Sequence, residues 1–192
     1  MAIALHEIHP SLVHMPLGLL PFSLGADLLG RATDSEELLN AGRATIVGAA
    51  AGAWAAGASG LLAQQEVDGD DDAFDVLITH RTLNIAGTLA LTGLAWWRGR
   101  TEQPGGGYLL AGLATLAAVT YSAYLGGKMV YEHGLGVEKA GGVREDVPEL
   151  RPGTLGRAAA RTVEDLAEGA RVTAEETAEG KVAPALGGNG AG

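Results

Sequence analysis

The chain has no cysteine among its 192 residues. This absence excludes disulfide bonds, thiolate zinc sites, iron–sulfur clusters and a c-type haem attached through a Cys-x-x-Cys-His motif. A bound metal would therefore need histidine, methionine, carboxylate or carbonyl ligands. Basic residues are also scarce, since 13 Lys and Arg stand against 23 Asp and Glu, and the net charge of −10 argues against nucleic acid as a partner.

Charged residues are absent from four long apolar runs, which cover residues 8–26, 44–65, 82–97 and 107–127. A helix rises ~1.5 Å per residue, so about 20 residues cross a hydrocarbon layer of ~30 Å. The third run reaches this length when residues 76–81 form its first turns. The pattern predicts an all-α fold, namely a four-transmembrane-helix antiparallel bundle in contact with the lipid bilayer. Its helices are expected at about 8–30, 44–65, 76–97 and 107–131.

A soluble, alanine-rich four-helix bundle is the alternative fold. It would need a charged stripe with the helical period, and residues 44–63 have no charged residue at all. Four glycines in this run would each cost about 1 kcal/mol relative to alanine in a helix in water. In lipid, small residues spaced four apart instead allow two helices to approach closely. The membrane interpretation therefore accounts for both features.

The end of the chain has a different composition. Residues 132–192 carry 7 Lys and Arg and 11 Asp and Glu, with few large apolar side chains. We expect a membrane domain over residues 1–137 and a polar, partly disordered C-terminal tail over 138–192, with an amphipathic helix at 154–180. The acidic segment 66–75 lacks the pattern of a calcium loop and is expected to be a solvated connection.

Basic residues in the short loops predict the orientation. Arg31 and Arg43 lie in one connection, and Arg98 and Arg100 lie in another, whereas the N-terminal ten residues have no Lys or Arg. These features predict a multi-pass protein of the cell (inner) membrane with both termini outside. The N-terminus lacks the basic region of a cleaved signal, so the first helix should be retained. Asp27, near the inner end of the first helix, is expected to lie at the membrane interface, where it could pair with Arg31 four residues further on.

All five histidines fall on the outer side of this topology. His6, His9 and His14 open the first helix, His80 opens the third, and His133 follows the fourth. Imidazoles at the edge of hydrocarbon are candidate functional groups. In an up-down bundle the first and third helices are diagonal, so His14 and His80 could face each other and hold a b-type haem.

A metal ion is the alternative cofactor at this site. Three nitrogens from His14, His80 and His133 suit zinc or copper, with Met15 or Met129 as a soft extra ligand for reduced copper. His9 precedes Pro10 and is either a further cofactor ligand or a residue that fixes the entry turn of the first helix. A third alternative is that no cofactor is bound.

Three segments carry a resemblance to a known family. They read HPSLVHMPLGL at 9–19, HRTLN at 80–84 and GGKMVYEHGLGV at 126–137. In this order they resemble a family of bacterial predicted membrane proteins known as domain of unknown function 2231. The resemblance covers about residues 8–137 and implies a four-helix inner-membrane domain. It implies no activity, and it supports His9, His14, His80 and His133 only as matches to the family motif.

Three classes of function are compatible with these features. The leading hypothesis is electron transfer through a membrane-embedded haem b, with a quinone or an external redox partner. The second is a cofactor-free structural or accessory subunit that packs against another membrane protein or forms a homo-oligomer. An enzyme acting by itself is the weakest hypothesis, because the chain has no His-Glu-x-x-His motif, nucleophile elbow or phosphate loop.

Overall fold

The computed structural model describes residues 5–144 and 155–187, with side chains at 8–144 and 161–187. Its fold is all-helical, and no β-strand occurs in the described residues apart from one isolated bridge between Val67 and Val143. The described residues form six α-helices and two short 3₁₀ turns. The α-helices are α1 (Leu5–Leu12), α2 (His14–Thr33), α3 (Glu36–Glu66), α4 (Asp71–Arg98), α5 (Gly106–Tyr131) and α6 (Leu155–Ala178). The 3₁₀ turns lie at Glu138–Ala140, between α5 and α6, and at Pro184–Leu186, after α6.

The first predicted helix is divided at Val13, between α1 and α2. Pro16 explains the division, because it has no N–H to donate to the carbonyl of Leu12. The next helical hydrogen bond runs from Leu17 N to Val13 O, at 3.3 Å. Pro21 lies inside α2 without ending it. The short α1 therefore carries His9, and His14 begins a separate helix.

Within the described part of the chain, three stretches are long and apolar enough to cross a membrane: Ile8–Thr33, Glu36–Glu66 and Gly106–Tyr131. The sequence predicted a fourth at 76–97. This region does form a continuous helix, α4, of 28 residues, but α4 is not among the three stretches. Asp71, Asp72 and Asp75 in its first turns, followed by His80 and Arg81, make it the most polar helix of the set α2, α3, α4 and α5.

The chain divides into two compact units. The histidine unit takes its described residues from Met1–Ser11, Gly57–Thr82 and Ala123–Gly192. The ion-pair unit is formed by Leu12–Ala56 and Leu83–Ser122. Leucine, isoleucine and alanine dominate the core of the ion-pair unit, with one buried tyrosine: Leu20, Leu24, Ile46, Ala49, Ala50, Ala53, Leu91, Leu94 and Tyr108. Three of these nine residues are alanines, whose small side chains allow helices to approach closely.

A buried ion pair joins α2 to α4 in the ion-pair unit. Asp27 and Arg98 both have side chains that are 0% exposed. Arg98 donates from Nε to both Asp27 oxygens at 3.0 Å, and from Nη2 to Oδ1 at 2.8 Å and to the Leu39 carbonyl at 3.0 Å. Gly42 makes room for the carboxylate, since a Cβ there would lie 2.3 Å from Asp27 Oδ1. Asp27 is therefore buried within the protein and pairs with Arg98 rather than with Arg31.

Arginines also hold the connection between α4 and α5. Arg31 donates to the Pro104 carbonyl at 2.7 Å, and Arg43 donates to the Thr101 carbonyl at 3.1 Å. Arg98 reaches the same Thr101 carbonyl from Nη1 at 2.8 Å. These charge-assisted bonds satisfy carbonyls that follow the end of α4 and have no partner within the helix. The loop is thus fixed by side chains from α2, α3 and α4.

The C-terminal region contains α6 at Leu155–Ala178, where the sequence predicted a helix over 154–180. The disorder expected at the end of the chain falls mainly on residues 188–192, which lie outside the described residues.

Replacement of Asp27 by alanine should strongly destabilise the protein, because it leaves the Arg98 guanidinium buried without its counter-charge. Breaking a buried pair in this way costs about 3–5 kcal/mol. Equilibrium unfolding in mixed micelles would measure the loss. The double variant Asp27→Leu/Arg98→Met is the control, and its free energy of unfolding should fall by less than that of Asp27→Ala. If the free energy of unfolding is unchanged in Asp27→Ala, the pair does not have this role.

Candidate functional site

His9 is the first component of the candidate site. It lies on α1, is partly buried, and its Nδ1 is 3.2 Å from Ser59 Oγ on α3. A hydrogen bond at Nδ1 fixes the orientation of an imidazole and reserves Nε2 for another partner. Pro10, which follows His9, continues α1 at this position. The local structure therefore holds the ring against α3 rather than at a turn.

His9 and His80 form a ring pair within the histidine unit. Their ring centroids are 6.3 Å apart and their planes are nearly perpendicular, at 87°. His80 lies in the third turn of α4 and is also partly buried. The sequence placed both histidines on one side of the protein, and the structure brings these two together. Two adjacent imidazoles can share a metal centre or pass a proton.

Each ring of the pair packs on a glycine of another helix. A Cβ built at Gly60 of α3 would lie 3.1 Å from His9 Cε1, and one at Gly126 of α5 would lie 3.3 Å from His80 Cε1. Both distances are shorter than ordinary carbon contacts of about 3.5–4.0 Å. Helices α1, α3, α4 and α5 thus all contribute to the surroundings of the pair. Neither glycine was singled out for this role from the sequence.

An arginine follows His80 directly. Arg81 is only 10% exposed and forms an ion pair with Glu176 of α6. It also donates from Nη1 to Gln64 Oε1 on α3, at 3.1 Å. The sequence showed Arg81 beside His80, but the partner 95 residues away could not be inferred from any local pattern.

His133 occupies a different environment. Its Nδ1 is 3.8 Å from Asp70 Oδ1, and its side chain is 17% exposed. Asp70 also accepts a hydrogen bond from the Ala73 N–H at 2.8 Å, as the capping residue at the start of α4. This contact explains one carboxylate of the acidic segment as a helix cap. His133 therefore lies beside a carboxylate of the acidic segment.

Residues 132–144, which include His133, form a compact segment on the connection between α3 and α4. We call this segment the clasp. Asp68 N and Gly136 N both donate to the Gly142 carbonyl, at 3.2 and 2.9 Å, and Arg144 N donates to the Glu66 carbonyl at 2.9 Å. Leu135 is buried within it. Gly134 has φ of +66°, and a Cβ at Gly142 would lie 2.0 Å from Gly134 O. The glycines of this segment are therefore required by backbone geometry.

His14 belongs to the ion-pair unit, and its side chain is exposed. It begins α2, while the ring contact of His80 is made with His9. Among the residues that the structure describes, no three His, Cys, Asp or Glu side chains come together as a group that could hold a metal ion. The described geometry thus offers a histidine pair and no three-ligand metal site.

A family model for predicted membrane proteins, DUF2231, matches residues 5–139. The chain belongs to the DUF2231 family. The match contains the histidine pair, its two glycines and most of the clasp, while α6 lies beyond it. A comparison with curated proteins and another with solved structures each gave no match.

Membership of DUF2231 confirms the resemblance carried by the three sequence segments. Each segment contributes to the histidine unit: His9 comes from the first, His80 from the second, and Gly126 from the third. The third segment also contains His133 and the first part of the clasp. The geometry thus gives a physical reason for several residues of the motif, and the DUF2231 description establishes a membrane protein without an assigned activity.

Substitution of Gly142 by alanine should open the clasp, because the new Cβ would collide with the Gly134 carbonyl. Amide hydrogen exchange at Asp68 and Gly136, which both donate to Gly142, would then accelerate by on the order of tenfold or more. The matched control is Gly105→Ala, since a Cβ at Gly105 has no atom within 4 Å. Unchanged protection in Gly142→Ala would contradict the proposed geometry.

Proposed function

We propose that this membrane protein binds a b-type haem through His9 and His80 and passes electrons between a quinone or an external redox partner and a second carrier. The observation that carries the proposal is the His9–His80 pair, with ring centroids 6.3 Å apart. Two imidazoles this close together could hold one haem, with His9 and His80 as its two protein ligands.

The surroundings of the two rings fit a haem ligand pair. Ser59 provides the hydrogen bond at His9 Nδ1 that ligating histidines usually make with a neighbouring group. Gly60 and Gly126 pack directly against the two rings, so each imidazole is held against the backbone of a neighbouring helix. In this proposal His9 takes the position that the sequence-based hypothesis gave to His14. Zinc and copper are less well supported, because they would use three ligands or more.

The chemistry of the proposed site is simple. A haem held by His9 and His80 would supply reversible one-electron transfer. His9 and His80 would set the electron affinity of the site, and Ser59 would fix one ring. Because both histidines would be occupied in holding the group, neither would be left to act on a substrate, and the site favours electron transfer over catalysis by the protein alone.

Alanine at His9 or at His80 should each abolish haem binding while leaving the protein in the membrane. An optical spectrum of detergent-purified protein, oxidised and then reduced with dithionite, measures this through the Soret, α and β bands. His14→Ala is the matched control and should retain the bands. Gly126→Leu should also lose them, whereas Gly127→Leu should not, because a Cβ at Gly127 has no atom within 4 Å.

Several outcomes would overturn the haem proposal. A colourless, metal-free wild-type protein that co-purifies with a membrane partner would favour the accessory subunit. Stoichiometric zinc or copper with a flat visible spectrum would favour a metal site. Haem retained in both His9→Ala and His80→Ala would exclude this ligand pair.

We further propose that α4 crosses the membrane as a fourth span, giving an antiparallel bundle in the cell membrane with both termini outside. With 28 residues, α4 is long enough to cross. Leu89 of α4 and Leu110 of α5 are 58% and 70% exposed, as expected of side chains that face lipid. Arg31, Arg43 and Arg98 all bind around the connection between α4 and α5, which favours a cytoplasmic position for it.

Single-cysteine labelling would test this topology without background, because the natural chain has no cysteine. An impermeant maleimide should label Asp72→Cys and Val182→Cys in intact spheroplasts, but Glu37→Cys and Gln103→Cys only after the membrane is opened. All four positions are exposed in the structure. If Asp72→Cys and Gln103→Cys are labelled from the same side, α4 does not cross the membrane.

A further inference from the structure

The C-terminal helix packs closely on α3 within the histidine unit. Gly169 is buried in the middle of α6, and a Cβ there would lie 3.1 Å from the Leu61 carbonyl oxygen and 3.0 Å from Gln64 Nε2. The less exposed residues of α6 recur with the helical period, at 162, 165, 166, 169, 172, 173 and 176. This docked face includes the apolar Leu166, whereas the apolar Val163 is 67% exposed.

The same segment binds the residues immediately before and after His80. Arg81 pairs with Glu176 near the end of α6. Thr79 Oγ1 accepts a hydrogen bond from the Ala185 N–H at 3.1 Å, in the turn that follows α6. The turn of α4 that carries His80 is therefore held by the C-terminal segment at two points. We call α6 and the Pro184–Leu186 turn the C-terminal strap.

The charges of α6 separate into two groups. On the outward side, Arg171 pairs with Glu168 and Glu175 within the helix, and the hydrogen bond that it donates to Glu168 is the main cause that raises the pKa of Arg171. These exposed pairs support the helix itself and contribute little to docking. Glu176 instead pairs with a nearly buried arginine on another helix, where the loss of a partner is much more costly.

We infer that the C-terminal strap is a releasable cover of the histidine site, and that the Arg81–Glu176 pair keeps it closed. Without Glu176, Arg81 would be a nearly buried cation that lacks its counter-charge. The docked position of α6 and the local order around His80 therefore depend on each other. When the strap leaves, the ends of α3 and α4 lose three contacts at once, at Leu61, Thr79 and Arg81. A redox partner or ligand then reaches the pair from outside. The ligand's identity rests on the proposed function, whereas the cover itself does not.

Glu176→Gln tests the inference, with Glu175→Gln as its neighbour control. Chemical access to His80 is measured as its rate of modification by diethyl pyrocarbonate, read from the mass of the peptide that contains it. Hydrogen exchange over α6 reports docking in the same samples. Glu176→Gln should raise both rates by on the order of tenfold, because the neutral amide cannot compensate the charge of Arg81 and the charge-assisted hydrogen bond is lost. Glu175→Gln should leave the His80 rate unchanged.

A second pair of variants acts through packing and leaves the charges intact. Gly169→Leu should displace α6 from α3 and raise the His80 rate, whereas Ala170→Leu, at an exposed position, should not. Equal His80 rates in the wild type, Glu176→Gln and Gly169→Leu would overturn the inference. Because neither readout requires haem, a colourless protein would contradict the proposed function and leave this result interpretable.

Discussion

A charged or polar side chain within an apolar helix must obtain its partner from the protein, because hydrocarbon offers none. The ion-pair unit satisfies this constraint with Asp27 and Arg98, which are both fully buried and joined by three hydrogen bonds. The remaining donors of Arg98 bind backbone carbonyls of Leu39 and Thr101. One guanidinium thus joins α2, the start of α3 and the loop after α4. The packing of this unit depends on that cation being fully satisfied, since an unpaired charge there would cost more than the pair contributes.

Close approach between helices is the second requirement, and small residues provide it where polar groups meet. Gly42 leaves space for the Asp27 carboxylate, and Gly60 and Gly126 leave space for the imidazoles of His9 and His80. An alanine methyl at any of these positions would press on the polar group behind it. Glycine in these helices therefore has a specific cause in the geometry of buried polar groups, besides the general preference of membrane helices for small residues.

The extent of each predicted helix followed from uncharged runs, because the length of such a run reports what a helix can bury in lipid. Long-range pairing could not be predicted in the same way. Arg31 is four residues from Asp27 and has the spacing of a helical ion pair, yet Arg98 is the partner. Helical spacing indicates which side chains share a face of one helix, whereas a partner on another helix depends on how the helices pack. For the same reason, the sequence predicted that the histidines lie on one side of the membrane but did not indicate that His80 contacts His9.

The C-terminal region shows how a weak sequence signal conceals a specific contact. Its apolar positions predicted an amphipathic helix, but the docked face is centred on Gly169 and Glu176, two residues that no hydropathy pattern would select. A glycine is useful there because it admits the backbone of α3, and a glutamate is useful because Arg81 is nearly buried. The face combines close backbone packing at Gly169, a hydrogen bond to Thr79 and an ion pair with Arg81. Of these contacts the ion pair is the most sensitive to a single substitution, because removal of Glu176 leaves a nearly buried cation without its counter-charge.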